Sequence, residues 1–164
     1  ASEAAAQCSE RAWLARLGFL SFGLAVIWLS AGSDHTWARG VVWFHLLFGV
    51  LMVSTAVFSH KPWMAGVSFD PVEDSLHSFT ATAMGFAFAL GALLRFIQRQ
   101  GDNRVGQVLD ITALLSAVGL PLLMLYQSDI AGLIQRLMFL VAYVWYGTEA
   151  AKLFKDVPGQ YKKD

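Results

Sequence analysis

The stretch RGVVWFHLLFGVLMVSTAVFS, residues 39–59, decides the fold. Between Arg39 and its end it carries no ionisable side chain except His45. Its length, about 20 residues, is what a helix needs to cross roughly 30 Å of hydrocarbon. Four further runs share this character, at residues 13–32, 75–98, 105–127 and 130–154. The chain is 56% hydrophobic and 15% charged, where a soluble domain carries about a quarter charged residues. The fold class is therefore all-α: a polytopic membrane helical bundle of five transmembrane helices. Connections are short and no repeat or low-complexity tract appears, so residues 1–164 read as one domain.

Net charge is zero, and no basic aromatic patch is present, so nucleic acid is not an expected partner. Cys8 is the one cysteine; it excludes an internal disulfide and a cysteine-rich metal cluster. Membrane lipid is the partner the composition implies.

Five spans place the N-terminus and the loop over 60–74 on one side. The 33–38 and 99–104 loops and the C-terminus lie on the other. That second side holds eight of the basic residues: Arg39, Arg95, Arg99, Arg104, Lys152, Lys155, Lys162 and Lys163. The first holds four: Arg11, Arg16, Lys61 and Arg136. An excess of Lys and Arg marks the cytoplasmic side, so the C-terminus is expected inside and the acidic loop outside. Trp13 and Trp63 near one boundary, with Trp28, Trp37 and Trp43 near the other, fit an aromatic belt. The segment ASEAAAQCSER has neither a charged n-region nor an apolar core. An upstream signal peptide or a further helix is expected to have carried it outside.

Several segments resemble an uncharacterised bacterial family known as domain of unknown function 998. SEAAAQCSERAWLARLGFLSFGLAVIWLS is similar to its second span and the segment before it. GVLMVSTAVFSHKPW and DPVEDSLHSFTATAMGFAFAL resemble its next two spans, joined by an acidic loop ending in Leu-His. GLIQRLMFLVAYVW is similar to its last span. The resemblance implies six spans, of which this chain lacks the first, and a bacterial inner membrane. It singles out Asp70, Asp74, His77 and Arg136, and implies no activity.

Two polar clusters are candidate sites. At the outer end lie Asp70, Glu73, Asp74, His77 and Arg136. Asp70 before Pro71 reads as a helix cap, with Glu73 and Asp74 favoured by the positive end of the helix dipole. His77, Ala81, Gly85 and Ala89 recur every four residues, a stripe of small side chains suited to close helix packing. Arg136, near hydrocarbon, is expected to pair with Asp74 or Glu73 and clamp the loop over the bundle mouth. In the alternatives, the cluster forms a pocket for a small molecule or lipid headgroup, or His60 and His77 with two carboxylates hold a divalent metal. At the inner end, His45, Asp110 and Glu149 lie at similar depth. His45 and Asp110 are expected to share a buried hydrogen bond, with a proton relay or a cation site as the alternative. Glu149 reads as a local ion pair with Lys152 at i+3. It stands well over 90° around its helix from Arg136, so only one of the two can face the bundle centre.

No cofactor is expected. A bis-histidine haem is opposed by geometry, because His45 and His77 lie at opposite ends of their spans, about 21 Å apart along the axis. No nucleophile elbow or phosphate loop appears. The leading functional expectation is a non-enzymatic protein that binds or transports a lipid or small molecule, or an accessory subunit of a membrane complex. The alternative is a membrane enzyme acting at the outer cluster, with His77 as acid, base or ligand. For orientation, a membrane-impermeant thiol reagent should label Cys8 in intact cells; labelling only after permeabilisation would invert the topology.

Overall fold

A computed structural model describes residues 6–62, 64, 66–99 and 104–156. Trp63, Lys162 and Lys163, used above for belt and orientation, lie outside the described residues. Five long helices follow one another: α1 (Ala12–Gly32), α2 (Arg39–Val57), α3 (Pro71–Gln98), α4 (Arg104–Tyr126) and α5 (Ala131–Asp156). A short 3-10 turn, Ser128–Ile130, links the last two. No strand occurs among the described residues. Four of the helices, α1 to α4, are long and apolar enough to cross a membrane. The fifth has the length, 26 residues, but its Arg136, Glu149, Lys152 and Lys155 keep it below the same apolar standard.

Two boundaries differ from expectation by more than two residues or change a local role. α3 begins at Pro71 rather than at residue 75, because Asp70 caps it. Its carboxylate accepts from the Val72 and Glu73 amides at 2.8 and 3.2 Å, and Pro71 occupies the first turn, where its missing N–H costs nothing. α2 ends at Val57; Phe58 is already extended (ψ 134°), and the Ser59 amide turns to Glu73 instead of the helix.

Consecutive helices pack on one another, and α5 closes the bundle with aromatic side chains. Phe139 stacks on Phe19 of α1 at 5.6 Å between centroids, and Tyr143 meets Phe22 edge-on at 4.5 Å. Trp145 and Tyr146 reach Phe88 of α3 and His45 and Phe48 of α2. α1 and α2 touch backbone to backbone. A Cβ on Gly23 would stand 2.9 Å from the Gly49 carbonyl, and one on Gly49 would stand 2.9 Å from the Gly23 carbonyl. Such close approach is how small residues let membrane helices gain dispersion contacts.

The outside of the bundle is apolar. Trp28, Trp43, Phe79, Phe86, Leu115 and Leu133 are all more than 60% exposed, a surface suited to hydrocarbon rather than water. Trp37 departs from the expected belt: it is buried, lying 5.0 Å from His45 and 5.8 Å from Trp145, with Arg95 over its face.

Candidate functional site

Three places gather chemistry: the arginine end of the bundle, the acidic-loop end, and a cavity between them.

At the arginine end, Glu149 is the centre. It is buried, and its carboxylate accepts from three cations. Arg95 donates from Nε at 3.2 Å and Nη2 at 3.1 Å, Arg99 from Nη2, and Lys152 from Nζ at 2.7 Å. Arg99, at the end of α3, also reaches Asp110 of α4 at 3.4 Å. Its guanidinium fits because residue 106 is glycine: a Cβ there would stand 2.6 Å from Arg99 Nη1. Arg95 extends the network to the α1–α2 connection through the Thr36 carbonyl at 3.3 Å and Gln98 at 3.0 Å.

Asp110 accepts from Trp145 Nε1 at 2.8 Å. The expected His45–Asp110 hydrogen bond is not formed. Trp145 of α5 lies between them, donating to Asp110 while its ring stacks on His45 at 4.6 Å. His45 Nδ1 is hydrogen-bonded instead to the Tyr146 hydroxyl at 2.7 Å. The helical arithmetic that set Glu149 against Arg136 is resolved here: Glu149 faces inward and Arg136 is exposed. The Lys152 pair exists, but as one of three contacts rather than the whole of Glu149's role.

At the acidic-loop end, the carboxylates hold the loop. Glu73 accepts from the Ser59 amide at 2.8 Å. Asp74 accepts from the Lys61 amide at 2.8 Å and from His60 Nδ1. His77 is buried and donates from Nδ1 to the Phe58 carbonyl at 2.9 Å. Each partner belongs to the four residues that follow the end of α2, Phe58 to Lys61. The expected clamp by Arg136 is thereby replaced. Among the described residues Arg136 has no hydrogen bond or ion pair, and the acids are held by the chain beside them.

Two residues not singled out in the sequence complete this end. Gln7 donates to the Ser59 and Asp70 carbonyls at 3.2 and 3.1 Å and accepts from the Asp70 amide at 2.8 Å. Arg16 donates to the Ser59 hydroxyl. The His60 and His77 rings stack with centroids 5.4 Å apart, and parallel rings do not converge on one ion. Among the described residues no group of three His, Cys, Asp or Glu could hold a metal.

The cavity, about 400 Å³, lies between α2, α3, α4 and α5. Ala81, Gly85 and Ala89 of α3 face Ser116, Ala117 and Pro121 of α4 across it. The small-residue stripe on α3 was expected to be a close packing face. Here its lower part lines empty space: a Cβ on Gly85 would meet nothing within 4 Å. Small side chains supply low volume, and only the separation of the helices decides whether that volume closes. Phe86, Val118 and Leu122 line the cavity and are also largely exposed, so it opens sideways, between α3 and α4, onto the apolar face.

Glu149→Gln should destabilise the protein by about 3–5 kcal/mol, because it leaves buried guanidinium groups without their counter-charge. Thermal unfolding of the detergent-solubilised protein reads this. Lys152, half in solvent, should cost about 0–1 kcal/mol as Lys152→Ala, and Arg136→Ala should leave the midpoint unchanged. A large loss at Arg136 would restore the clamp.

No curated protein and no solved structure matches the chain. The family model described as "Protein of unknown function (DUF998)" matches residues 1–152. Taken with the helical bundle, that match covers nearly the whole chain, and the protein belongs to this family of unknown function.

Proposed function

We propose that the protein is a non-enzymatic membrane protein that takes a small apolar molecule or a lipid chain into its intramembrane cavity. The observation that carries this is the cavity itself: about 400 Å³, walled mostly by apolar side chains with Thr82, Ser116 and Gln135 among them, and open toward the apolar face. That volume falls at the small end of ordinary ligand pockets. A lateral opening admits molecules already dissolved in the bilayer. With this reading goes the orientation drawn from the Lys and Arg distribution, in a bacterial inner membrane with the acidic-loop end outside and the C-terminus cytoplasmic.

The two polar clusters support the reading by what they leave free. Their carboxylates, together with Arg95 and Arg99, are engaged with one another, with backbone or with neighbouring side chains, which suits them to holding the bundle ends while the middle stays open. A second reading has one observation in its favour. Asp74 accepts from His60 Nδ1, an arrangement that orients the other ring nitrogen as a base. Acid–base chemistry on a lipid at the loop end would then fall to His60, not to the buried His77. A radiolabelled lipid extract incubated with wild type and His60→Gln decides this; no product specific to the wild type would sink it.

Gly85→Leu tests the cavity. The new side chain enters open space, so the protein should keep its thermal midpoint within a few degrees. Lipid that co-purifies with the wild type, read by native mass spectrometry, should fall at least about tenfold, as expected when a well-packed site loses roughly 1.4 kcal/mol or more. Equal retention of lipid by both proteins would remove the cavity as the binding site.

A further inference from the structure

Arg136 has no hydrogen bond or ion pair among the described residues, and its place on α5 gives it a different use. Gly132, Arg136, Phe139 and Tyr143 follow one another by steps of four, three and four, so they share one face of the helix. On α1 the same steps join Arg11, Ala15, Gly18 and Phe22. These two faces meet. Tyr143 packs edge-on against Phe22 at 4.5 Å, and Phe139 stacks on Phe19, the neighbour of Gly18, at 5.6 Å. Both helices start at the acidic-loop end, so the ring pairs fix a parallel register. Carried one turn toward that end, it sets Ala15 across from Arg136; carried one turn more, it sets Arg11 across from Gly132. Each arginine thus faces a small residue.

The rings shut the seam in its middle, and its start is open. A Cβ on Gly18 or Gly132 would meet nothing within 4 Å. Arg11 and Arg136 are both exposed, and neither forms an ion pair among the described residues. The nearest acids in the chain, Glu10 and Asp129, are exposed and equally unpaired. Arg16 is not part of the seam's start, because it turns to the Ser59 hydroxyl. Side chains on a helix lean toward its N-terminus, so Arg11 and Arg136 lean the same way, from levels about 6 Å apart along the axis. Leu14, Leu133 and Leu137 around them are 46–63% exposed. The cations therefore stand where an apolar surface gives way to the helix starts, the depth at which an arginine meets headgroups.

A guanidinium pairs with phosphate through two parallel hydrogen bonds, and the small residue opposite each arginine leaves room for a headgroup. The exposed leucines suit acyl chains. A zwitterionic headgroup would bring its ammonium against two guanidinium groups, and a net anionic one would not. We propose that Arg11 and Arg136 hold the phosphate of an anionic phospholipid at the open start of the α1–α5 seam. This site is separate from the cavity between α3 and α4 and does not rest on it.

The test titrates phosphatidylglycerol and phosphatidylcholine of identical chains onto the delipidated full chain in micelles, with bound lipid counted by native mass spectrometry. Wild type should favour phosphatidylglycerol by roughly fivefold or more, the effect expected of about one arginine beside an anionic headgroup. Arg136→Gln and Arg11→Gln should each bring the ratio toward one. Lys61→Gln removes an exposed charge at the same end but outside the seam, and should keep the wild-type ratio. Gly85→Leu, with its cavity filled, should keep it too, so this site and the cavity fail independently. Excess inorganic phosphate should not displace the lipid. The proposal falls if wild type shows no preference, if the preference survives both arginine changes, or if Lys61→Gln abolishes it equally. Loss in Gly85→Leu would assign the preference to the cavity, and displacement by inorganic phosphate would make this a site for the free anion; either overturns the lipid assignment. Should one arginine variant fail to fold, the other decides with Lys61→Gln.

Discussion

The bundle depends on one buried carboxylate. Glu149 accepts from Arg95, Arg99 and Lys152, and a charge in that position is tolerable only with its partners in place. Satisfying it draws the end of α3 against α5. Arg99 then brings Asp110 and the start of α4 to the same point, while Arg95 ties in the α1–α2 connection at Thr36. Trp145 and Tyr146 lie one helical turn from Glu149, so the same constraint aims them at His45, Phe48 and Phe88. The aromatic core follows from where the acid is held.

The other end is fixed by different means. Asp70, Glu73 and Asp74 each accept from backbone amides, His77 donates to one carbonyl, and Gln7 stitches the N-terminal segment over the loop. These bonds hold α2 to α3 and leave α4 out. Between a tight arginine end and a loop end that does not include it, α4 stands away from α3. Pro121 removes one of its internal hydrogen bonds in the same region. The cavity is the volume that results.

What the sequence revealed followed physical locality. Hydropathy marked every helix within a few residues, because a span's length and composition are set by the hydrocarbon it must cross. The Asp70 cap was readable for a similar reason: Asp, Pro and two further acids act within four residues. Pairings across helices were not readable in this way. Arg136 and Asp74 share an end of the bundle, yet Asp74 found His60 and the Lys61 amide closer to hand. Arg95 and Arg99 read from sequence as orientation signals, and their role as partners of Glu149 emerges only in the fold. Two arginines one turn apart, facing two acids at matching depth, were the signal that could have revealed it. The cavity left no sequence mark of its own, since small residues at every fourth position describe a packed seam and an open one equally well.

Helix α5 falls short of the apolar standard that its four companions meet, and Glu149, on which the bundle turns, is one of the charged residues it carries. Alone in hydrocarbon, α5 would carry a naked carboxylate; beside α3 that carboxylate is met by two guanidinium groups. Whether α5 suits a membrane is therefore a joint property of two helices and cannot be judged from α5 by itself. A hydropathy scan weighs each helix against lipid, but this one is solvated by its neighbour.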